Sequence, residues 1–307
     1  MAILGKVMPK IDLPNLPPSD AAAGQPKFFS AQIAQARRFH LQLRPKAAAR
    51  LSVVCGGCER CAPDYQIRRN TFPYFGLEFV AGGKGTLVMG NREHRLVPGT
   101  IFAYGPRVAH HITTSAGEPL VKYFVDFAGR AAAALLRSIP LPPGTVIQTS
   151  APAEVMPIFD ELTANGMKNT AQSPAIGAAL LEALLLKLAE TRMPAGSVET
   201  AAFETYQRCR RELEDGALAI RSLQELAERC HVDAAYLCRL FRRFDHESPY
   251  HRLMRLKMSH AAARMQAPGA LVKQIAAELG FDDPYHFSRA FKNVFGLSPT
   301  RLLRERR

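Results

Sequence analysis

Two stretches of this chain, residues 222–249 and 271–299, repeat one helix-turn-helix pattern, and no other feature narrows its fold as much. Leu226-Ala227 answers to Ile275-Ala276, Leu237-Cys238-Arg239-Leu240-Phe241 to Phe287-Ser288-Arg289-Ala290-Phe291, and Ser248-Pro249 to Ser298-Pro299, the last two pairs 50 residues apart. Each copy is too short to bury a core alone, so the two together predict one helical module with two equivalent protruding helices. Such a pair suits successive major grooves of duplex DNA.

Apolar periodicity separates inner from outer faces. In the first copy Leu223, Leu226 and Ala227 face inward, Asp233 is placed to cap the next helix, and Leu237, Leu240, Phe241 and Phe244 form its core stripe. Ala235, Cys238, Arg239 and Arg242 are left outside. In the second copy Gly280 supplies the turn, Asp283-Pro284 a cap and first-turn proline, and Phe287 and Phe291 the core. Tyr285, His286, Ser288 and Arg289 point outward or toward the helix start. The charge agrees: the chain carries a net +13 with pI near 9.7, and residues 239–307 hold 14 Lys or Arg, mostly Arg, against 6 Asp or Glu. A polyanionic partner fits that balance, although charge alone leaves membrane surfaces and acidic proteins open.

With Ile275-Ala276, Gly280-Phe281, Phe287, Ser288-Arg289, Phe291-Lys292, Gly296 and Ser298-Pro299 in order, and Met254–Met265 as a connecting helix, this half resembles the DNA-binding domain of AraC/XylS-family transcription regulators. The resemblance implies that the second helix of each copy enters a major groove. Ala235, Cys238 and Arg239 become candidate base readers in the first copy, and Tyr285, His286, Ser288 and Arg289 in the second. Arginine in the first half of such a helix can donate twice to guanine, which singles out Arg239 and Arg289. The alternative for either is a phosphate contact or a salt bridge within the domain. Arg242, Arg243, Lys273, Lys292 and Arg301 suit the DNA backbone. Two departures mark the first copy: His231 stands at the position of Gly280, and His246 at that of Gly296. Histidine tolerates positive φ better than β-branched residues, so the turn is expected to survive.

The first half reads as β structure. Leu51–Val54, Leu77–Val80, Thr86–Met89, Ile101–Tyr104 and Lys122–Phe127 are short apolar runs, punctuated by Gly82-Gly83, Gly90-Asn91 and Pro98-Gly99. From Gly85-Thr86-Leu87 through Glu93-His94, Val97-Pro98-Gly99-Thr100 and Gly105-Pro106 to His110-His111, the order resembles the cupin-like, arabinose-binding-type sensor domain often joined to such a DNA-binding domain. That resemblance implies a small-molecule effector in a barrel, with Arg69, Glu78, Tyr104, His110 and Tyr123 as candidate pocket residues. Metal-dependent cupin enzymes need a His-x-His pair and further ligands. This chain lacks the pair, so no metal or other cofactor is expected, and a cupin-type enzyme with a DNA-binding appendage is the weaker reading. An architectural DNA binder is a third class, with affinity independent of sequence.

Cys55, Cys58 and Cys61 form Cys-x-x-Cys-x-x-Cys. Three readings stand: Cys55 ends a strand while the others sit in a turn; a fourth ligand completes a zinc site; or the thiols sense redox state. Along Ile176, Leu180, Leu184 and Leu188, widened by Leu181 and Leu185, an apolar helix either packs on the β domain or forms a dimer interface. No signal peptide or membrane span is apparent in the sequence, so a cytoplasmic protein is expected. The fold class is therefore α+β in two domains. Residues 1–27 form a loose arm, 28–150 the cupin-like effector-sensing domain, 151–193 the helical dimerisation or packing segment, 194–200 a linker and 201–307 the DNA-binding domain. Expected partners are promoter DNA, a small-molecule effector, a second copy of the chain and RNA polymerase, with no membrane.

Overall fold

Period-two alternation builds the first half. The computed structural model describes residues 13–19, 29–46, 48–245, 247–267 and 269–304, and these fall into two units, Met1–Glu199 and Thr200–Arg307. Unit 1 holds β1 (Ile33–His40), β2 (Ser52–Cys61), β3 (Gln66–Arg69), β4 (Phe75–Gly82), β5 (Gly85–Met89), β6 (Arg92–Leu96), β7 (Thr100–Tyr104), β8 (His110–Thr114) and β9 (Val121–Ala128). After these come α1 (Ala132–Ser138), β10 (Thr145–Thr149), α2 (Pro152–Lys168), α3 (Ser173–Thr191) and β11 (Arg192–Pro194). An antiparallel seven-stranded sheet runs β1-β2-β9-β4-β7-β10-β11, and a four-stranded one β3-β8-β5-β6.

The large sheet buries both faces. Leu77 and Phe79 of β4, Ile101 and Ala103 of β7, and Val121, Tyr123, Val125 and Phe127 of β9 join one core with Phe159 and Leu162 of α2 and Leu181, Leu184, Leu185 and Leu188 of α3. The intervening Val80, Phe102 and Tyr104 turn to the small sheet, meeting Leu87, Met89 and Ile112. Gly57 lets β2 run beside β1, because a Cβ there would collide with the carbonyl of Arg37.

Several boundaries differ from the sequence reading. Met193, read as the end of the helical segment, and Pro194, read as the start of the linker, pair with β10 as an edge strand, where Met193 is buried. Proline is tolerated at such an edge. Within the expected arm, Leu13–Ser19 lies along β1: Leu16 is buried, Ala36 donates its N–H to the carbonyl of Pro17, and Ser19 donates to that of Ala34. The remaining arm residues, apart from that segment, lie outside the described ones, as does His246. On α3 the predicted stripe packs on the sheet, except that Leu180 is half-buried and Ile176 exposed.

Unit 2 is helical, with α4 (Ala201–Gly216), α5 (Leu223–Arg229), α6 (Ala234–Phe244), α7 (Pro249–Arg264), α8 (Val272–Glu278), α9 (Pro284–Phe295) and α10 (Pro299–Arg304). Caps set the starts: the Asp233 carboxylate accepts from the N–H of Tyr236, and that of Asp283 from the N–H groups of Tyr285 and His286. Among the described residues no helix is long and apolar enough to cross a membrane.

The two turns are backbone copies. His231 has φ 53° and Gly280 φ 78°, and each is followed by the same closing bond, Val232 N–H to Ala227 O at 3.0 Å and Phe281 N–H to Ala276 O at 2.9 Å. A side chain in the left-handed region is strained by roughly 1–2 kcal/mol. His231→Gly is therefore expected to stabilise unit 2 by about 1 kcal/mol, raising its melting temperature by about 4–8 °C in calorimetry. A fall would show that the imidazole compensates for the strain.

Candidate effector site and nucleic-acid interface

The strand faces that meet between the two sheets are apolar except for one chain of charged groups. Arg38 donates to Glu59 at 2.8 Å, Lys122 bridges Glu59 at 3.1 Å and Glu78 at 2.8 Å, and the Tyr104 hydroxyl donates to the other Glu78 oxygen at 2.9 Å. Arg69 extends the chain to the Tyr104 hydroxyl at 3.4 Å, and the His110 ring stacks on Tyr104 with centroids 4.1 Å apart. Nearby, the Cys55 thiol donates to Asp126 at 3.3 Å. A small cavity of ≈ 20 Å³ lies against Glu78, Tyr104, Lys122 and Asp126, room for about one water molecule.

Four of the five candidate pocket residues, Arg69, Glu78, Tyr104 and His110, thus converge. Tyr123 does not: it sits on the opposite face of β9, between Phe79 and Phe159, and its hydroxyl donates to Asp160 of α2 at 3.0 Å. Strand parity is the reason, since Tyr123 and its neighbour Lys122 must face opposite ways. The sequence reading missed Glu59, Lys122 and Asp126. Their signal was available as charges at alternate positions, Lys122 and Asp126, in an otherwise apolar strand.

Electrostatics follow from burial. Desolvation opposes the charge on Lys122, but Glu78, with Tyr65 and Glu59, overcomes it and holds the ammonium well above the ordinary lysine value. Burial likewise raises Glu59, yet Lys122 and Arg38 outweigh it and leave the carboxyl below its usual value. Asp126 goes the other way: burial pushes it up to about 7, against the opposing pull of Arg69. Its Oδ1 is buried with no partner among the described residues. Burial also lowers His110; its Nδ1 lies 3.1 Å from the carbonyl of Val108, so Nδ1 carries the hydrogen and the buried Nε2, unpartnered among the described residues, is an acceptor.

Asp126 makes stability depend on pH. Its folded value lies above the unfolded 3.8, so between pH 4 and 7 the folded state binds more protons at this site and loses stability as pH rises. Acidification from pH 7 to 5 should restore about 2 kcal/mol through this carboxyl. His110 and His40, both lowered by burial, act with the opposite sign, so the test compares variants. Asp126→Asn should lose this acid-side gain in calorimetry; an unchanged pH profile would show that Asp126 ionises normally.

In unit 2 the charged reading-face candidates make no ion pair among the described residues, although Arg239 and His286 each touch a ring. Ala235, Arg239 and Arg242 on α6, and Tyr285, His286, Arg289 and Lys292 on α9, are exposed; Cys238 and Ser288 are half-buried. Arg289, Arg242 and Lys292 make no ion pair among the described residues, and Arg239 lies over the Tyr236 ring at 5.5 Å. By contrast Arg252 on α7, half-buried, is committed to Asp245 at 2.9 Å and Glu214 at 2.7 Å. Exposed arginines on equivalent helices, beside arginines that are used structurally, set apart a face kept available for an external anion.

Comparison with known families matches residues 226–305 to a helix-turn-helix domain and residues 56–189 to an AraC-like ligand binding domain. The chain belongs to the AraC/XylS family. It is a DNA-binding transcription regulator with a ligand-sensing N-terminal domain. The regulator is similar to the Msm operon regulatory protein of Streptococcus mutans, 20% identical over 83% of this chain and 93% of the relative. It is also similar to the MmsAB operon regulatory protein of Pseudomonas aeruginosa, 23% identical over 80% of each. The C-terminal domain of AraT, a response regulator from Geobacillus stearothermophilus, is 26% identical over 34% of this chain and 88% of that one, with a TM-score of 0.31.

The cysteine motif of the regulator is structural. All three thiols lie in β2 rather than a turn, and they enter different surroundings: Cys55 beside Val54 and Phe124, Cys58 in the helix-side core, Cys61 between the sheets. They therefore cannot converge on one zinc ion. Burial pushes the Cys58 thiol up to about 12 and also raises Cys55 and Cys61, favouring the neutral thiol over the reactive thiolate at all three. Cys209 and Cys230 are buried core residues of unit 2.

Proposed function

We propose that the regulator recognises an asymmetric promoter site through α6 and α9, with Arg239 and Arg289 reading bases and Arg242 and Lys292 holding phosphates. The observation that carries this reading is the pair of equivalent helices whose exposed guanidiniums have no internal carboxylate partner among the described residues. Ala235, Cys238, Tyr285, His286 and Ser288 complete the two surfaces and differ between them, so one copy of the chain has a directional site. The polar end of the barrel, with Arg69, Glu78, Tyr104 and His110 joined by Lys122 and Asp126, is the effector-responsive part. Selection of bound genomic fragments followed by footprinting tests the DNA reading. Two protected major-groove segments about one helical turn apart are expected; protection of a single groove would overturn it.

We further propose that two copies associate through α3. Ile176, Ala179, Ala183 and Leu186 are exposed at spacings of three, four and three, the seam of a short two-helix coil. Leu186 is 69% exposed, against 43% for Ile176, the other large apolar residue on that seam. Light scattering should give a dimer for the parent protein and a monomer for Leu186→Glu. A parent monomer at micromolar concentration would remove this part. A homodimer on neighbouring half-sites would work alongside RNA polymerase, in the compartment that holds the chromosome.

A further inference from the structure

At one end of the small sheet lies an open cleft of ≈ 510 Å³, within the usual range of small-molecule sites and separate from the water-sized cavity inside. Its walls are basic. Arg68, Arg69, Asn70, Arg107, His110 and His111 line it, and its lining contains no carboxylate. Register places Arg68 beside His111 on one face of β3 and β8 and Arg69 beside His110 on the other, so both pairs reach the cleft only at the strand ends, where Arg107 joins from the loop that leads into β8. The Gly90-Asn91 turn of the β5–β6 hairpin closes one side. Glu93, opposite Val88 in register, is exposed and does not line the cleft.

Arg68 and Arg107 are exposed and make no ion pair among the described residues. Two such guanidiniums beside imidazoles and an amide form an electropositive concavity, where field lines concentrate and planar forks match oxyanions. Arg69 is different, because its guanidinium reaches the Tyr104 hydroxyl and lies over the Phe72 ring at 4.7 Å. His110 joins the cleft wall to the interior: its buried ring stacks on Tyr104, and its Nε2 has no partner among the described residues.

We propose that this cleft binds a compact polyanion, a small molecule with closely spaced phosphate or carboxylate oxygens, gripped by Arg68 and Arg107. This names the ligand class of the sensing domain and rests on the reading that the barrel end is its effector-responsive part. Arg69 gives the ligand a route inward: it touches the cleft and is joined through Tyr104 and Glu78 to Lys122, so a bound anion competes with the interior network for the same guanidinium.

The test titrates full-length protein with pyrophosphate and, separately, citrate at low salt by calorimetry. Saturable binding of one or both is expected, weakened at least tenfold by Arg68→Glu with Arg107→Glu and unchanged by Arg242→Glu with Arg289→Glu. Pyrophosphate alone would identify phosphate oxygens as the recognised group, and citrate alone carboxylates. Failure of both to saturate, or loss that follows the Arg242 and Arg289 changes, would overturn the proposal, since the basic reading face would then account for any binding. Affinity for a selected promoter fragment, measured with and without the bound anion, separates the two claims. Binding at Arg68 and Arg107 without any change at the promoter keeps the anion site and defeats the sensing role. Absence of anion binding removes the ligand class and leaves the barrel reading to its own test.

Discussion

Lys122→Met is expected to shift the urea unfolding of unit 1 to lower denaturant by at least about 1 M, the largest stability effect of any single change in the barrel interior. The ammonium is the shared cation of two carboxylates that are both almost wholly buried, and it is itself only 4% exposed. Methionine fills the space, so packing is little changed and the loss is electrostatic. Glu59 keeps Arg38, but Glu78 keeps only the Tyr104 hydroxyl among the described residues, leaving a buried charge with a neutral partner. Removing one member of a buried ion pair typically costs about 3–5 kcal/mol. Adding Glu78→Gln should recover a substantial part of that loss, because an amide can accept from Tyr104 without a charge to compensate. A single variant as stable as the parent would mean that water reaches the network, and a double variant no better than the single would place the loss in packing.

That network also marks where sequence reasoning reached its limit. Helical faces were legible because a repeat of apolar positions at period 3.6 survives in one sequence: Leu237, Leu240, Phe241 and Phe244 are buried as the periodicity predicts, and Asp233 and Asp283 cap the helices they precede. The left-handed turn at His231 was legible only through its match to Gly280. In the barrel, by contrast, short apolar runs located β4, β5, β7 and β9 but not which side each residue faces. Tyr123 was consequently placed in the pocket and Lys122 left out, although they are adjacent. β3, β6 and β8 escaped because charged and polar residues on their exposed faces dilute the apolar signal, as in Gln66–Arg69 and Arg92–Leu96. The Cys55, Cys58 and Cys61 spacing resembled a ligand set, yet in an extended strand Cys58 faces away from Cys55 and Cys61, which lie six residues apart, so the thiols enter separate cores. Spacing predicts convergence only when the local backbone is known.

Arg289→Ala is expected to lower affinity for the selected promoter site by about 5- to 150-fold while changing affinity for random duplex far less, the loss of one bidentate base contact being worth roughly 1–3 kcal/mol. Position argues for that role. Arg289 lies in the first half of α9, whose start is held by the double cap of Asp283, and it is flanked on the exposed face by His286 and Tyr285, the latter 81% exposed. Lys292, one turn further along, should behave differently: Lys292→Ala is expected to weaken specific and random duplex alike and to reduce the salt dependence of binding by about one counterion. Gel-shift competition at several fixed salt concentrations separates the two patterns. Equal loss on both duplexes for Arg289→Ala would make it a phosphate contact. Arg239→Ala supplies the comparison from the first copy, where the guanidinium rests over Tyr236 rather than standing alone. Holding that arginine against a ring limits the conformations it must give up on binding, so Arg239→Ala should lose specificity at base positions different from those read by Arg289. Loss at the same positions for both variants would mean that the two helices do not occupy separate grooves.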